Sequence, residues 1–570
     1  MMRILFPHRK IRTTHAVVGA FVILFGVVSI RAQVVIAPVK PVIGSANTVT
    51  AEPRIAVPET KSCTVTLFQN LEFDNFNTQN FTYTPPSGCR GPWAKVVFSA
   101  DFTVTEGIQY DRTAQFFLGG ANIFFGTTAE PAPTLSPSWH VERDVTDLSS
   151  LLNSPQAGTA LLGNIVNSQY TGIIYANAQL TFYEPSWKSP APSVPSIVIG
   201  MPGNTGAAIL NTPTSVYTQT VTLPTNVTSA YLDVTAQSQI NDEFWYTCVP
   251  NSLATELESC GGTSFRETEI TVDGKPAGVA PVYPWIYTGG IDPFLWQPLP
   301  GVQTLNFVPF RVDLTPFAGL LSNGAAHSIG IQVYNANGYF QATGNLLVYT
   351  DPVMKKVEGG LDVDTLAAEP TPVITNNINT SKSGTVTGSV FTVSNRIFTI
   401  AGHVTTSHGT VKTTVVDTVD FSQKATFDIT ASQDVQDIVQ TTKVAENTET
   451  AIDGFTLHQT ASYTYPFTLD YGYFVNADGT SYQTAKTDQQ DSVNQNEQVG
   501  WLDSFATNLS NQVVSQDTLH FDASGNFTGN TGNSSWQDYV ARDSEGGCYS
   551  EKLTSAKGVL TGAARGAACR

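Results

Sequence analysis

The sequence predicts an all-β protein, with two antiparallel β-sandwiches in tandem followed by a β-rich C-terminal domain. Three observations carry that reading. Apolar and polar residues alternate over short runs such as Tyr217-Thr218-Gln219-Thr220-Val221-Thr222-Leu223 and Ala230-Tyr231-Leu232-Asp233-Val234, the period-two pattern of half-buried strands. Turn-forming residues recur about every eight to twelve positions, and no long stretch follows a helical period. Charged residues are only 13% of the chain, with Thr, Ser, Asn, Gly and Pro abundant, the balance of an exported β protein. A chain of 570 residues should divide into about three domains.

Residues 1–32 read as a secretory signal peptide, with Arg3, His8, Arg9, Lys10 and Arg12 ahead of an apolar run over 16–30 and an exit at Arg31-Ala32-Gln33. An uncleaved N-terminal anchor is the alternative. Either way the remainder is exported, to the extracellular space or a periplasm, and no stable membrane association is expected once the signal is removed. With 29 Lys plus Arg against 47 Asp plus Glu, the net charge of -18 argues against nucleic acid and anionic membrane surfaces as partners. A monomer is expected.

Residues 33–58, rich in Val, Ala, Pro and Thr, read as an extended leader. The first sandwich occupies 59–184, opening on the alternation at 64–68 and closing on a strand over 173–183. A stiff linker with four prolines follows at 185–196. The second sandwich spans 197–350, and its Val312-Asp313-Leu314-Thr315 echoes Asp144-Val145-Thr146 of the first, so the two share one plan. Residues 351–375, with Gly359-Gly360 and Glu369-Pro370-Thr371-Pro372, read as a second linker. From 376 to 570 the chain is β-rich, with short strands over 384–429 broken at Ser407-His408-Gly409 and at Ser422-Gln423-Lys424. Six cysteines suit an oxidising compartment. Spacing alone favours the local pairs Cys63 with Cys89, Cys248 with Cys260, and Cys548 with Cys569.

The stretch over 101–152 stands apart. Phe102, Val104, Ile108 and Tyr110 share one parity, and Asp111 and Arg112 then follow side by side. A regular strand would send those two to opposite faces, so one of them should avoid bulk water. Glu130 before Pro131, Trp139, and an acid-rich turn at Glu142-Arg143-Asp144 complete the set. A structural ion pair and a catalytic carboxylate both account for Asp111.

Tyr110-Asp111-Arg112-Thr113-Ala114, Thr128-Ala129-Glu130-Pro131, Val141-Glu142-Arg143-Asp144-Val145-Thr146 and Leu151-Leu152 resemble, in that order, the N-terminal domain of the A-type peptide-N-glycosidases. These are acid-active peptide-N4-(N-acetyl-β-glucosaminyl)asparagine amidases. The resemblance continues through Asn241 to Tyr246, Ser264 to Gly274 and 287–296, and recurs in the Cys548 to Cys569 ending. A weaker likeness to the F-type enzyme places its catalytic aspartate at Asp111. The resemblance implies that each sandwich is an eight-stranded jelly roll. It also implies an amidase that cleaves the bond between the Asn side chain and N-acetylglucosamine, releasing the glycan and leaving Asp. N-linked glycopeptides and glycoproteins are the partners it implies.

The residues are compatible with that chemistry. No His-Glu-x-x-His, Gly-x-Ser-x-Gly or glycine-rich phosphate loop occurs, and neither a cofactor nor a metal site is expected. An amide hydrolase without these devices must use carboxylates whose pKa is tuned by burial or a neighbour. Asp111 is the expected water-activating or proton-shuttling group, with Arg112 orienting substrate. The F-type glutamate that supports the site falls by position on Gly262, so Glu243 and Glu267 are the candidate replacements. Glu130 and Arg266 are further substrate-binding candidates. Trp139, Trp245, Tyr246 and Trp285 supply ring faces for a sugar platform. A non-catalytic glycan-binding or adhesive protein and a glycoside hydrolase remain as alternatives.

Overall fold

The computed structural model describes residues 41–500 and 502–569. The signal-peptide reading and the start of the leader lie outside the described residues. Strands dominate, joined by single helical turns, and every sheet is antiparallel.

The first unit holds β1 (Ser62–Phe73), β2 (Gln79–Tyr83), β3 (Lys95–Val104), β4 (Thr113–Leu118), β5 (Ala121–Thr127), β6 (Ser138–Asp144), β7 (Gln156–Leu162) and β8 (Ile174–Tyr183). They form two four-stranded sheets, in orders β1-β8-β3-β6 and β2-β7-β4-β5. Alternation sets which side chains face inward: Phe98 and Phe102 from β3 meet Phe116 from β4 and Phe124 from β5 in an aromatic core. The strand alternation stops at Val104, and 105–112 is a loop. Ile108 and Tyr110 are therefore exposed instead of continuing the inner face. Glu142, Arg143 and Asp144 also lie in strand β6 and not in a turn.

The second unit holds β9 (Ile197–Met201), β10 (Ala208–Leu210), β11 (Val216–Thr222), β12 (Val227–Gln239), β13 (Glu267–Val272), β14 (Lys275–Pro281), β15 (Phe310–Asp313), β16 (Ala326–Tyr334) and β17 (Tyr339–Thr350). One sheet runs β10-β17-β12-β15 with β9 also on β17, and the other runs β11-β16-β13-β14. The two units meet tightly. Asn345 Oδ1 accepts from the Asn122 N–H and its Nδ2 donates to Asn122 O, both at 2.9 Å. A Cβ on Gly200 would lie 2.0 Å from Gly120 O, so only glycine allows the backbones this close. Arg143 crosses the seam, donating to Asn306 Oδ1 at 2.7 Å, Phe125 O at 3.1 Å and Phe307 O.

The rest of the chain forms one twelve-stranded sheet running from Glu358–Asp364 to Val559–Arg565. Seven of its strands are 17 to 22 residues long. At about 3.3 Å per residue the longest reach roughly 70 Å. One face lies on the second unit, where Tyr246 meets Phe467 at 4.9 Å, Tyr283 meets Tyr465 at 5.0 Å and Phe265 meets Phe421 at 5.1 Å.

Three expectations change here. The expected break at Ser422-Gln423-Lys424 is the middle of the strand Gly409–Thr430, paired without a register shift to both neighbours. Gln423 is held there because its side chain donates to Tyr246 O at 2.6 Å. The region 351–375 is not simply a linker, since Glu358–Asp364 and Val373–Asn376 pair with Val386–Thr406. The described part of the leader is a strap bound to the other parts of the protein: Gly44 N bonds Leu560 O, Val49 N bonds Pro298 O, and Arg54 donates to Glu142. The three expected disulfides are all formed.

Candidate active site at the seam of the two sandwiches

The loop over 105–112 turns into β4 at the edge of the first unit, and that turn sets Asp111. Arg112 N donates to Thr128 Oγ1 and Arg112 O accepts from Thr128 N, both at 2.9 Å, tying the loop to the segment that follows β5. Glu130 lies on that same segment, two residues further on. Its Oε2 accepts from the Asp111 N–H at 3.1 Å, so the two carboxyl-bearing residues are locked together by backbone.

A turn over 287–296 in the second unit closes on this pair. Thr288 Oγ1 donates to Thr128 O at 2.7 Å, and the Gly289 N–H donates to Asp111 Oδ2 at 2.9 Å. A Cβ on Gly289 would sit 2.1 Å from Glu130 Oε2 and 3.3 Å from Asp111 Cγ. A side chain here would push the Glu130 carboxyl out of its contact with the Asp111 N–H.

Glu243 arrives from the end of β12. There the 240–242 turn is pinned by Asp242, fully buried, which accepts from Arg266 Nη2 at 2.8 Å and from the Asn337 N–H at 2.6 Å. Glu243 follows directly on this pinned turn, within the field of Asp111 and Glu130.

Three carboxyl groups therefore share one half-buried place, and they cannot all ionise cheaply. Burial and the charge of Asp111 push Glu130 up to about 7. Burial and the charges of Asp111 and Glu130 push Glu243 up to about 7 as well. Burial also raises Asp111, against the opposing Gly289 hydrogen bond and the Arg112 charge. Such a set can hold a proton near neutrality on one carboxyl while another is ionised, the arrangement that acid/base chemistry requires. Among the described residues no group of three or more His, Cys, Asp or Glu is arranged to hold a metal ion.

Other sequence candidates lie elsewhere. Glu267 is buried on β13 and pairs with Arg396 of the large sheet, away from Asp111. Arg266 is spent on Asp242 inside the protein. Trp139 stacks flat on Phe102 at 5.2 Å, Trp285 packs on Phe307 at 4.3 Å, and Trp245 and Tyr246 lie beneath the large sheet. All four rings are at least 95% buried, so none offers a free face to a sugar. Exposed ring surface beside the carboxylates comes instead from Tyr110, which packs edge-on to Tyr170 at 5.2 Å and carries the Arg112 guanidinium 5.6 Å from its centroid. Arg112 itself is half-buried and donates to Asp111 O at 3.2 Å. Gly289 was reachable from sequence only as part of the Tyr-Thr-Gly-Gly segment, since a backbone donor has no residue signature.

A family model described as peptide N-acetyl-beta-D-glucosaminyl asparaginase amidase A matches residues 53–365, more than half of the chain. Peptide-N4-(N-acetyl-beta-glucosaminyl)asparagine amidase A of Prunus dulcis is 31% identical over 329 residues, which cover 54% of this chain and 57% of that protein. The chain thus spans little more than half the length of the curated relative it matches. Among solved structures, PNGase F of Flavobacterium meningosepticum aligns over 51% of this chain and 96% of its own at 14% identity, with a TM-score of 0.34. PNGF-II aligns over 51% and 65% at 12% identity, with a TM-score of 0.36. Likenesses that low add nothing to the description of the site. The family match stands on sequence and spans both units and the seam where Asp111, Glu130 and Glu243 meet, so the chain belongs to the peptide N-acetyl-β-D-glucosaminyl asparaginase amidase A family.

Proposed function

We propose that the protein is a secreted amidase that hydrolyses the bond between an Asn side chain and N-acetylglucosamine. The observation that carries this reading is the three-carboxyl cluster on which the Gly289 N–H closes, in a chain of this family. Water attacks the side-chain carbonyl carbon and gives up a proton to ionised Asp111. The carbon–nitrogen bond to the glycosylamine then breaks as a protonated carboxyl, Glu130 or Glu243, delivers a proton to the departing nitrogen. The peptide is left with Asp, and the released glycosylamine later loses ammonia. Arg112 orients the substrate, and Tyr110 takes over as sugar contact from the four buried rings.

Product analysis on an Asn-linked glycopeptide tests the reaction. The amidase leaves Asp on the peptide. A hydrolase cutting between sugars leaves N-acetylglucosamine on Asn, and a glycan-binding protein leaves the glycopeptide intact; either result overturns the reading. Asp111→Asn should reduce turnover by roughly 10² to 10⁴, the usual range for one acid/base group, in a protein that still folds.

A further inference from the structure

The 287–296 turn that carries Gly289 is gripped from its far side by the large sheet. Gln483 Nε2 donates to Ile291 O at 3.1 Å, Asn533 Nδ2 donates to Phe294 O at 2.6 Å, and the Phe294 ring stacks on Phe527 at 5.6 Å. Between these contacts lies a pairing of like groups. Asp292 in the turn is fully buried, and Asp517 on the strand Leu502–Phe521 is buried beside it, with the two carboxyl groups facing each other. Asp292 Oδ1 accepts from the Phe294 N–H at 2.8 Å, whereas Oδ2 meets no protein donor. Both Asp517 oxygens accept from Asn530 Nδ2, at 3.0 and 3.1 Å. Two ionised carboxylates are acceptors only, so their contact exists while one of them keeps a proton.

We propose that Asp292 and Asp517 are positioning residues of the candidate site: sharing one proton, they hold the 287–296 turn so that the Gly289 N–H faces Asp111, and losing that proton releases the turn. The role of Asp111 in turnover rests on the amidase reading; the latch itself does not. The strands packed on the turn otherwise present neutral Gln483, Asn530 and Asn533, and His520, whose charge favours the ionised form of Asp517. Burial, chiefly, and the charge of Asp517 push Asp292 up to about 7. The folded protein therefore holds a proton that the unfolded chain releases at its ordinary 3.8. The stabilisation is complete below that value and is lost as pH rises through about 7.

Amide hydrogen exchange on the full chain tests the latch without reference to activity. Protection of residues 287–296, corrected for intrinsic rates, should fall about tenfold or more from pH 5.5 to 8 in the wild type, the equivalent of one pKa unit. Residues 227–239 of β12 serve as the control and should change little. Asp517→Asn keeps the shape and offers ionised Asp292 an amide donor, so its turn should keep its protection at pH 8. Asp292→Asn does the same from the other side and serves if the first variant fails to fold. Wild-type protection that does not change between the two pH values, or a folded variant that loses as much as the wild type, overturns the latch. Retained protection in a variant, with no hydrolysis by any of the proteins, leaves the latch standing and removes the amidase reading.

Discussion

Replacing Gly289 with Ala tests the seam directly, because the structure says what the added methyl group meets. An ideal Cβ lies 2.1 Å from Glu130 Oε2 and 3.3 Å from Asp111 Cγ, where ordinary contact begins at 3.4 Å. Asp111 needs to give only slightly, but the Glu130 carboxyl must retreat by about 1.3 Å or the turn must back away by as much. Either movement disturbs a bond that organises the site: the Glu130 contact to the Asp111 N–H, or the Gly289 N–H to Asp111 Oδ2. A displacement of about 1 Å in a catalytic group costs on the order of 10² in rate. Single-turnover release of glycan from an Asn-linked glycopeptide should therefore drop by about that factor in Gly289→Ala. Glu130 ends in a flexible carboxyl, so the fold should survive, and a melting temperature on the same preparation checks it. Gly290→Ala is the matched control, since its Cβ would come no nearer than 3.1 Å to Tyr287 O and meets neither carboxyl. A folded Gly289→Ala protein with near-wild-type turnover would show that the Asp111–Glu130–Gly289 geometry does not serve the reaction.

If a protonated Glu130 or Glu243 supplies the departing nitrogen with its proton, the rate should fall as pH rises through about 7. Asp111→Asn removes a charge that raises both, so the residual activity should lose its alkaline limb at lower pH; a residual profile with an unmoved limb would refute the coupling. Glu52, Glu130 and Glu243 all rise from 4.5 to about 7, so the native state holds protons that the unfolded chain gives up across that window. These three groups lower the stability as pH rises from about 4.5 to 7, which a melting series across the window reads out. Arg266→Ala leaves Asp242 buried without its partner and should cost about 3–5 kcal/mol in denaturant unfolding, since an uncompensated buried charge is strongly destabilising. Stability within about 1 kcal/mol of wild type would mean that Asp242 does not anchor the turn that aims Glu243.

Much of the candidate site was legible through unusual local carboxylates taken together with the family resemblance. Asp111 beside Arg112 and Glu130 before a proline stood out locally, the family resemblance pointed to Asp111 as catalytic and to Glu243 as a second carboxylate, and the fold brings the three together. Glu267 stood out on equal terms and belongs elsewhere, because Arg396 lies 129 residues away in sequence and reaches it only through the large sheet. The tryptophans misled for a related reason. A ring on an alternating strand is equally compatible with core and with platform, and the decision rests on what covers the other face.

Local order is what the sequence alone determined: period-two alternation, turns such as Ser407-His408, and the three near-neighbour disulfides are all written within short spans of chain. The tertiary structure decided everything that depends on a partner distant in sequence. Alternation states which side of a strand is apolar, but not that the second unit and a twelve-stranded sheet will cover Trp245 and Tyr246 between them. Nor can it show a backbone N–H of Gly289 pointing at Asp111 across 178 residues, or two aspartates brought together from 292 and 517. Hydrogen bonds and burial are set by distance in space, and in antiparallel sheets of long connectivity that distance is fixed only when the sheets pack.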